Sequence, residues 1–379
     1  MSQLRIRAVY MRGGTSKGVF FHVRDLPADA LLRDKILLRV IGSPDPYRKQ
    51  IDGMGGATSS TSKVVLISKS ARPDCDVDYN FGAVSIEKPV IDWSGNCGNL
   101  TSAVGPFAIS EGLVAAPRDG VAVVRIWQVN IQKRIVAHVQ MAAGEVVEVG
   151  CFELDGVTFP AAEIRLEFFD LQGSAMFPTG HKREILDVPG VGKLDVTLIN
   201  AGNPTIFIDA KALGLKGTEL QSDINSDARL LARAETIRTH AAVVMGITKT
   251  PGDATLNRPH TPKLAFVSKP AAYTASSGKA IQAEHIDLLA RIFSMGPLHH
   301  AMTGTGAVAI AVASVIPGTL VNDILGGSPR DMIRFGHPSG TLLVGAEAVL
   351  VGDEWVVKKA IMSRTARRLM EGFVRIPPV

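Results

Sequence analysis

Charge of one sign, long apolar runs, aromatic residues and paired cysteines are all scarce in this chain. Its 379 residues carry 41 Lys and Arg against 36 Asp and Glu, so the net charge of +5 is mild and spread along the chain. No Lys/Arg run carries interleaved aromatics, and aromatics make up only 6% of the residues. No nucleic-acid partner is therefore expected. The longest clean apolar stretch runs from Ala307 to Ile316, far short of the roughly 20 residues that cross a bilayer. The opening Met1-Ser2-Gln3-Leu4-Arg5 has no apolar signal core, and a cytoplasmic protein is expected. Three cysteines, Cys75, Cys97 and Cys151, are odd in number and widely spaced. That excludes a disulfide framework and a CxxC metal site. The slight positive balance suits an anionic small molecule but does not demand one.

What is present is a mixture of short strands and a few helices, with 37 glycines to punctuate them. Leu4–Tyr10 alternates, breaks at Arg12-Gly13-Gly14-Thr15-Ser16-Lys17-Gly18, and resumes at Val19–Val23, which reads as strand, turn and strand. Further strands are expected at Lys63–Ser68, Asp76–Val84, Gly120–Trp127, Ile135–Gln140, Val196–Asn200, Thr205–Asp209, Lys263–Val267, Gly340–Val351 and Trp355–Met362. Helices are expected at Asp29–Val40, Leu100–Glu111, Asp223–Met245, Ala283–Phe293, Gly306–Ser314 and Ser363–Glu371. The basic Arg364, Arg367 and Arg368 then read as the solvated face of that last helix.

Two segments share a layout. Ser94-Gly95-Asn96-Cys97-Gly98-Asn99 precedes one apolar helix, and Ala301-Met302-Thr303-Gly304-Thr305-Gly306 precedes another about 200 residues later. The pattern points to a duplicated α+β domain, one copy in residues 1–187 and one in 188–379, with the Gly/Pro-containing Asp187–Gly192 as the boundary. Duplication would bring the two helix N-termini to a shared cleft. A thiol at a helix N-terminus faces unpaired backbone N–H groups and the positive end of the dipole, which favours thiolate. The same groups would hold a carboxylate. Cys97 has that setting; Cys75 and Cys151 read as structural. Adjacent histidines on a strand face opposite sides, so His299-His300 is not expected to share a metal ion.

Five blocks of this chain resemble the PrpF family. They are Met11–Gly18, Asp52–Lys63, Asp92–Asn99, His299–Gly306 and Phe335–Thr341, in order along nearly the whole chain. The resemblance implies the diaminopimelate epimerase-like fold, with two pseudo-symmetric α+β domains, each a sheet wrapped around a central helix. It also implies a cofactor-independent, metal-free isomerase of small unsaturated tricarboxylates. The expected reaction is isomerisation of 2-methylaconitate and aconitate by allylic proton transfer, in propionate breakdown by the 2-methylcitrate route. The family also implies the alternatives 4-oxalomesaconate tautomerase and 3-methylitaconate Δ-isomerase, functional coupling to an iron–sulfur methylcitrate dehydratase, and a homodimer. A non-catalytic accessory protein to that dehydratase, or a thiol hydrolase acting through Cys97, are the competing classes.

The chain departs from two-cysteine racemases of the fold, because Thr303 stands where their second cysteine would be. A hydroxyl is too weak an acid to replace it, so symmetric racemisation is not expected. By resemblance, Lys63 works with Cys97 as the proton-transfer pair. The turn at Arg12, Thr15 and Ser16 becomes a substrate loop, with Arg12 matching a carboxylate best. Asn96, Gly98, Asn99, Gly304, Thr305 and Gly306 supply donors where charge develops on carboxylate oxygens. Asn203, Lys263, His299, Met302 and Thr303 complete the expected substrate contacts, with His337-Pro338-Ser339-Gly340 also expected near them.

Overall fold

The computed structural model describes residues 3–169, 176–352 and 354–377. The chain divides into two compact units. One comprises Met1–Glu153, Phe159–Leu166 and Arg364–Val379; the other comprises Leu154–Thr158 and Glu167–Ser363. Residues 167–169 and 176–187 thus group with the second unit, and the C-terminal residues from Arg364 return to the first. The Gly/Pro-containing stretch near 187 is thus not the single boundary that the sequence suggests.

In the first unit, β1 (Leu4–Gly13) and β2 (Ser16–His22) form an antiparallel hairpin. Helix α1 (Ala30–Ile41) crosses to β3 (Lys63–Lys69), which runs parallel to β2. Asp29 caps α1 by accepting from Leu32 N at 2.7 Å. Strand β4 (Val77–Val84) pairs antiparallel with β3, and β5 (Ile91–Asp92) with β4. Then come α2 (Gly98–Ser110), β6 (Gly120–Gln128), β7 (Lys133–Ala142) and β8 (Glu145–Val146). The sheet wraps α2, which is buried along nearly its whole length. A Cβ on Gly105 would lie 2.8 Å from Val139 and 3.7 Å from Val124; one on Gly13 would lie 3.2 Å from Ala103. Opposite strands of the sheet therefore touch opposite faces of the helix. On the outer side, Ile36, Leu37, Val40 and Ile41 of α1 pack against Val19, Phe21, Val64 and Leu66.

Strand β9 (Ile164–Phe168) leads into the second unit, which repeats the plan. There β10 (Glu184–Val188), β11 (Gly192–Ala201) and β12 (Asn203–Asp209) are antiparallel neighbours. After α3 (Gln221–Asn225), α4 (Ala228–Val244) and α5 (Pro251–Asn257), strand β13 (Lys263–Ser268) lies parallel to β12. A short ribbon, β14 (Tyr273–Thr274) with β15 (Ala280–Ile281), precedes β16 (Leu288–Ile292). The central helix α6 (Gly304–Val315) is buried over its full length, followed by α7 (Leu320–Ile324). Strands β17 (Met332–His337), β18 (Gly340–Val351) and β19 (Glu354–Arg364) continue the ladder, and β20 (Ala366–Ile376) pairs along β1 of the first unit. Among the described residues, no helix is long and apolar enough to cross a membrane.

Three helix expectations need correction. Asp223–Met245 is two helices, broken where Asp227 turns to cap α4 by accepting from Arg229 N and Leu230 N. Ala283–Phe293 is one helical turn followed by β16, because the five-residue run Leu288–Ile292 is wholly buried between β13 and β17. Short apolar runs do not distinguish helix from strand by period alone. Ser363–Glu371 is the end of β19 and most of β20; its helix-forming residues are overruled by pairing with β1 across more than 350 residues of chain.

Candidate active site

The Gly-rich turn, β3 and α2 meet in the first unit. Gly13 and Gly14 let the hairpin tip lie directly on the first turn of α2. A Cβ on Gly13 would lie 2.7 Å from Asn99 O, and one on Gly14, at φ +50°, would lie 2.6 Å from Asn99 Oδ1. Only glycine permits both the approach and that backbone conformation. Cys97 is the N-cap of α2. Its Sγ accepts from Leu100 N at 3.5 Å and lies 4.0 Å from Ser16 Oγ. Its carbonyl accepts from the Tyr79 hydroxyl at 3.3 Å, and burial, then Cys97, push that phenol well above its ordinary value.

Lys63 opens β3 and is buried, with Nζ 5.1 Å above the Phe81 ring. Gly18 lies between Lys63 and the first turn of α2: a Cβ there would lie 2.9 Å from Leu100 Cδ1 and 3.3 Å from Lys63 Cβ. Thr15 Oγ1 accepts from Asn99 Nδ2 at 2.9 Å, and Asn96 Oδ1 accepts from Thr101 Oγ1 at 3.3 Å. Ser16, Asn96, Gly98 and Asn99 are therefore gathered around the Cys97 turn. Arg12 is differently engaged. Its Nη1 donates to Gly14 O, Thr365 O and Thr365 Oγ1 at 2.9 to 3.1 Å. Burial, then the neighbouring Arg367, lower its guanidinium from the usual value.

The second unit repeats this construction with different groups. Thr303 is the N-cap of α6 and accepts from Gly306 N at 3.1 Å, as Cys97 does for α2. Gly202, at φ +76°, brings the β11–β12 turn to within 3.0 Å of Thr305 O, again measured from an added Cβ. Lys263 opens β13 as Lys63 opens β3, each on a strand parallel to the second arm of a hairpin. Around it lies a buried chain of polar groups. Lys263 Nζ is 3.0 Å from Ser294 Oγ and 3.2 Å from His260 Nδ1; Asn203 Nδ2 is 3.3 Å from His260 Nε2 and 3.2 Å from Thr305 Oγ1. Met302, Gly304 and Gly306 are packed around this turn, a Cβ on Gly306 lying only 2.5 Å from Ile292 Cδ1.

The two adjacent histidines do not face opposite sides. Their rings stack, with centroids 4.7 Å apart and planes at 22°. Residues 299 and 300 lie outside any strand, so strand alternation does not apply. His299 is buried, and its Nδ1 accepts from Ala301 N at 3.1 Å. His337 is also buried and accepts from Ser339 N at 3.2 Å.

Sequence reasoning missed two groups. His260 stands three residues before Lys263, and that spacing was the one available signal. Arg364, which the sequence alone places on a solvated helix face, ends β19 and is 1% exposed, with Nε donating to Asn99 Oδ1 at 2.9 Å. Burial lowers its guanidinium to about 10, with Cys97 acting to raise it.

The PrpF protein family matches residues 3–377. The 2-methyl-aconitate isomerase of Shewanella oneidensis is 61% identical over 388 residues, covering 99% of this chain and 98% of that protein. The 2-methyl-aconitate isomerase of Cupriavidus necator is 62% identical with the same coverage. Among solved structures, a methylitaconate-delta-isomerase superposes with a TM-score of 0.77 at 41% identity, covering 99% of this chain and 96% of that one. The α+β architecture is that of the proline racemase and diaminopimelate epimerase type.

Proposed function

The chain belongs to the PrpF family and is an isomerase, and from that premise we propose that it isomerises 2-methylaconitate, with aconitate as a related substrate. The observation that carries the reading is whole-length identity of 61% and 62% to two 2-methyl-aconitate isomerases. The reaction is an allylic shift. One C–H proton beside a carboxylate leaves, another is added two carbons away, and the double bond moves between them. Rotation in the intermediate dienolate gives the cis–trans change. One proton leaves and one arrives, so the reaction is redox-neutral.

Lys63 and Cys97 are the proposed acid–base pair. Both are buried, Lys63 packs against Gly18 and Cys97 lies beside Ser16 on the same strand, and Cys97 sits where backbone N–H groups oppose developing negative charge. The first turn of α2, with Gly98 and Asn99, is the proposed stabiliser of the dienolate carboxylate. Within the first unit Arg12, Thr15, Ser16 and Asn96 are proposed substrate contacts; Asn203, Lys263, His299, Met302, Thr303, Gly304, Thr305 and Gly306 carry the same proposal within the second. A cytoplasmic setting, a homodimer and coupling to an iron–sulfur methylcitrate dehydratase belong to the same proposal.

Proton NMR of 2-methylaconitate isomers and trans-aconitate in D2O with the purified protein tests it. A shifted isomer carrying deuterium at an allylic carbon is expected. Inertness toward both compounds, with turnover of 3-methylitaconate or 4-oxalomesaconate instead, would transfer the activity to those alternatives. One methyl group changes discrimination by only about 1–3 kcal/mol, so the comparison needs all of these substrates side by side.

A further inference from the structure

Arg364 is one of the largest fully buried side chains of the protein. A guanidinium donates and never accepts. Its Nε–H therefore settles which way the Asn99 amide points, with oxygen toward Arg364 and nitrogen toward Thr15 Oγ1 at 2.9 Å. Asn99 is the second residue of α2, two positions after the Cys97 cap. Gly14 leaves room for this junction, since a Cβ there would lie 2.6 Å from Asn99 Oδ1 and 3.0 Å from Arg364 Cδ. One guanidinium thus ties the end of β19, the hairpin tip and the first turn of α2.

The location is electrostatically unusual. Burying a cation costs free energy, and the positive end of a helix adds to that cost. A negative charge at Cys97 would offset both. The phenol of Tyr79, from β4, is held neutral by burial and brings no competing charge, and Lys63 lies across Gly18 from Leu100 of α2.

We propose that Arg364 is a positioning residue for Cys97: it locks the first turn of α2 through Asn99, and its buried charge favours the anionic thiol. The role deepens the isomerase reading and rests on it for its catalytic consequence.

The test measures carbamidomethylation of Cys97 by iodoacetamide, read by peptide mapping without substrate from about pH 6 to 9. The parent protein is compared with R364Q and R364K, alongside kcat and KM for 2-methylaconitate. In R364Q, Cys97 alkylation at neutral pH is expected to slow about tenfold, with the deficit closing as pH rises, while kcat falls and KM stays within about twofold. R364K keeps the charge and is expected to stay within about threefold of the parent in alkylation. Alkylation of Cys97 in R364Q as fast as in the parent, or equal slowing in both variants, would overturn the proposal. So would a raised KM with kcat intact, which would make Arg364 a substrate contact. If R364Q does not fold by circular dichroism, R364K decides alone: a tenfold or larger loss of Cys97 reactivity there refutes the charge role. The alkylation readout uses no substrate, so it survives a failure of the substrate assignment.

Discussion

Replacing Gly13 by alanine should separate stability from catalysis at the point where the hairpin meets α2. Gly13 pairs with Ser16 on one side and with Ala366 on the other, so its strand is held from both edges. An added Cβ would lie 2.7 Å from Asn99 O and 2.9 Å from Leu100 Cα, both backbone atoms of the helix turn that Cys97 caps. Relief to an ordinary 3.4 Å requires a relative shift of about 0.7 Å, since 3.4 − 2.7 = 0.7. Overpacking of this kind costs about 1–3 kcal/mol of stability. A misplacement approaching 1 Å in catalytic groups lowers rate about 10²-fold, equivalent to about 2.7 kcal/mol in the barrier. Urea unfolding and steady-state kinetics should therefore show both losses, with kcat rather than KM carrying the second. Gly112→Ala is the matched control: it sits at φ +70° with nothing within 4 Å of an added Cβ. It should lose about 1–2 kcal/mol through backbone strain and keep its kcat. A Gly13→Ala protein with kcat within about threefold of the parent would refute the argument that this contact sets the Cys97 turn.

Cys97→Ser keeps a good N-cap and Lys63→Met keeps side-chain volume, so each should fold like the parent while turnover drops about 10²–10⁴-fold or more; near-normal turnover in either would remove that residue from the mechanism. Thr303→Val deletes the cap on Gly306 N and should cost about 1 kcal/mol in urea unfolding, with Thr303→Ser restoring it. Glu111 stands at the C-terminal end of α2. Burial acts to raise its carboxyl, but hydrogen bonds from His22 and Arg368 prevail and leave it lowered. A carboxyl depressed by folding stabilises the protein above its unfolded value, near pH 4.3, and that contribution is lost as pH falls further. The stability deficit of Glu111→Gln should be complete at neutral pH and shrink on acidification below about pH 4; a deficit that stays constant would contradict the linkage. In alkylation at neutral pH, exposed Cys151 should react readily while Cys75 lags, because burial and then Asp74 push its thiol up.

Much of the fold was legible because local signals and tertiary demands agreed. Asp29 before an apolar repeat foretold α1 and its cap. The Gly-rich break after Tyr10 foretold a hairpin, and two apolar helices preceded by small polar residues foretold the repeat. Cys97 was legible for the same reason, since a thiol among glycines and asparagines at a helix start announces its environment. Lys63 needed the family resemblance, because a lysine at the start of a strand has the same local pattern whether buried or solvated.

Burial and pairing over long separations were not written locally. Leu288–Ile292 became a strand because β13 and β17 lay ready to accept its backbone. The segment from Ala366 became a strand because β1, at the other end of the chain, supplied its partner. His260 gained its place only when β12 and β13 brought Asn203 and Lys263 to either side of its ring. By itself the sequence determined the element types where period and caps were strong, the duplicated plan, and the thiol at a helix start. The tertiary structure alone decided that Arg364 is buried against Asn99 rather than solvated, because a side chain's dielectric surroundings are set by what the rest of the chain packs around it, not by its neighbours in sequence.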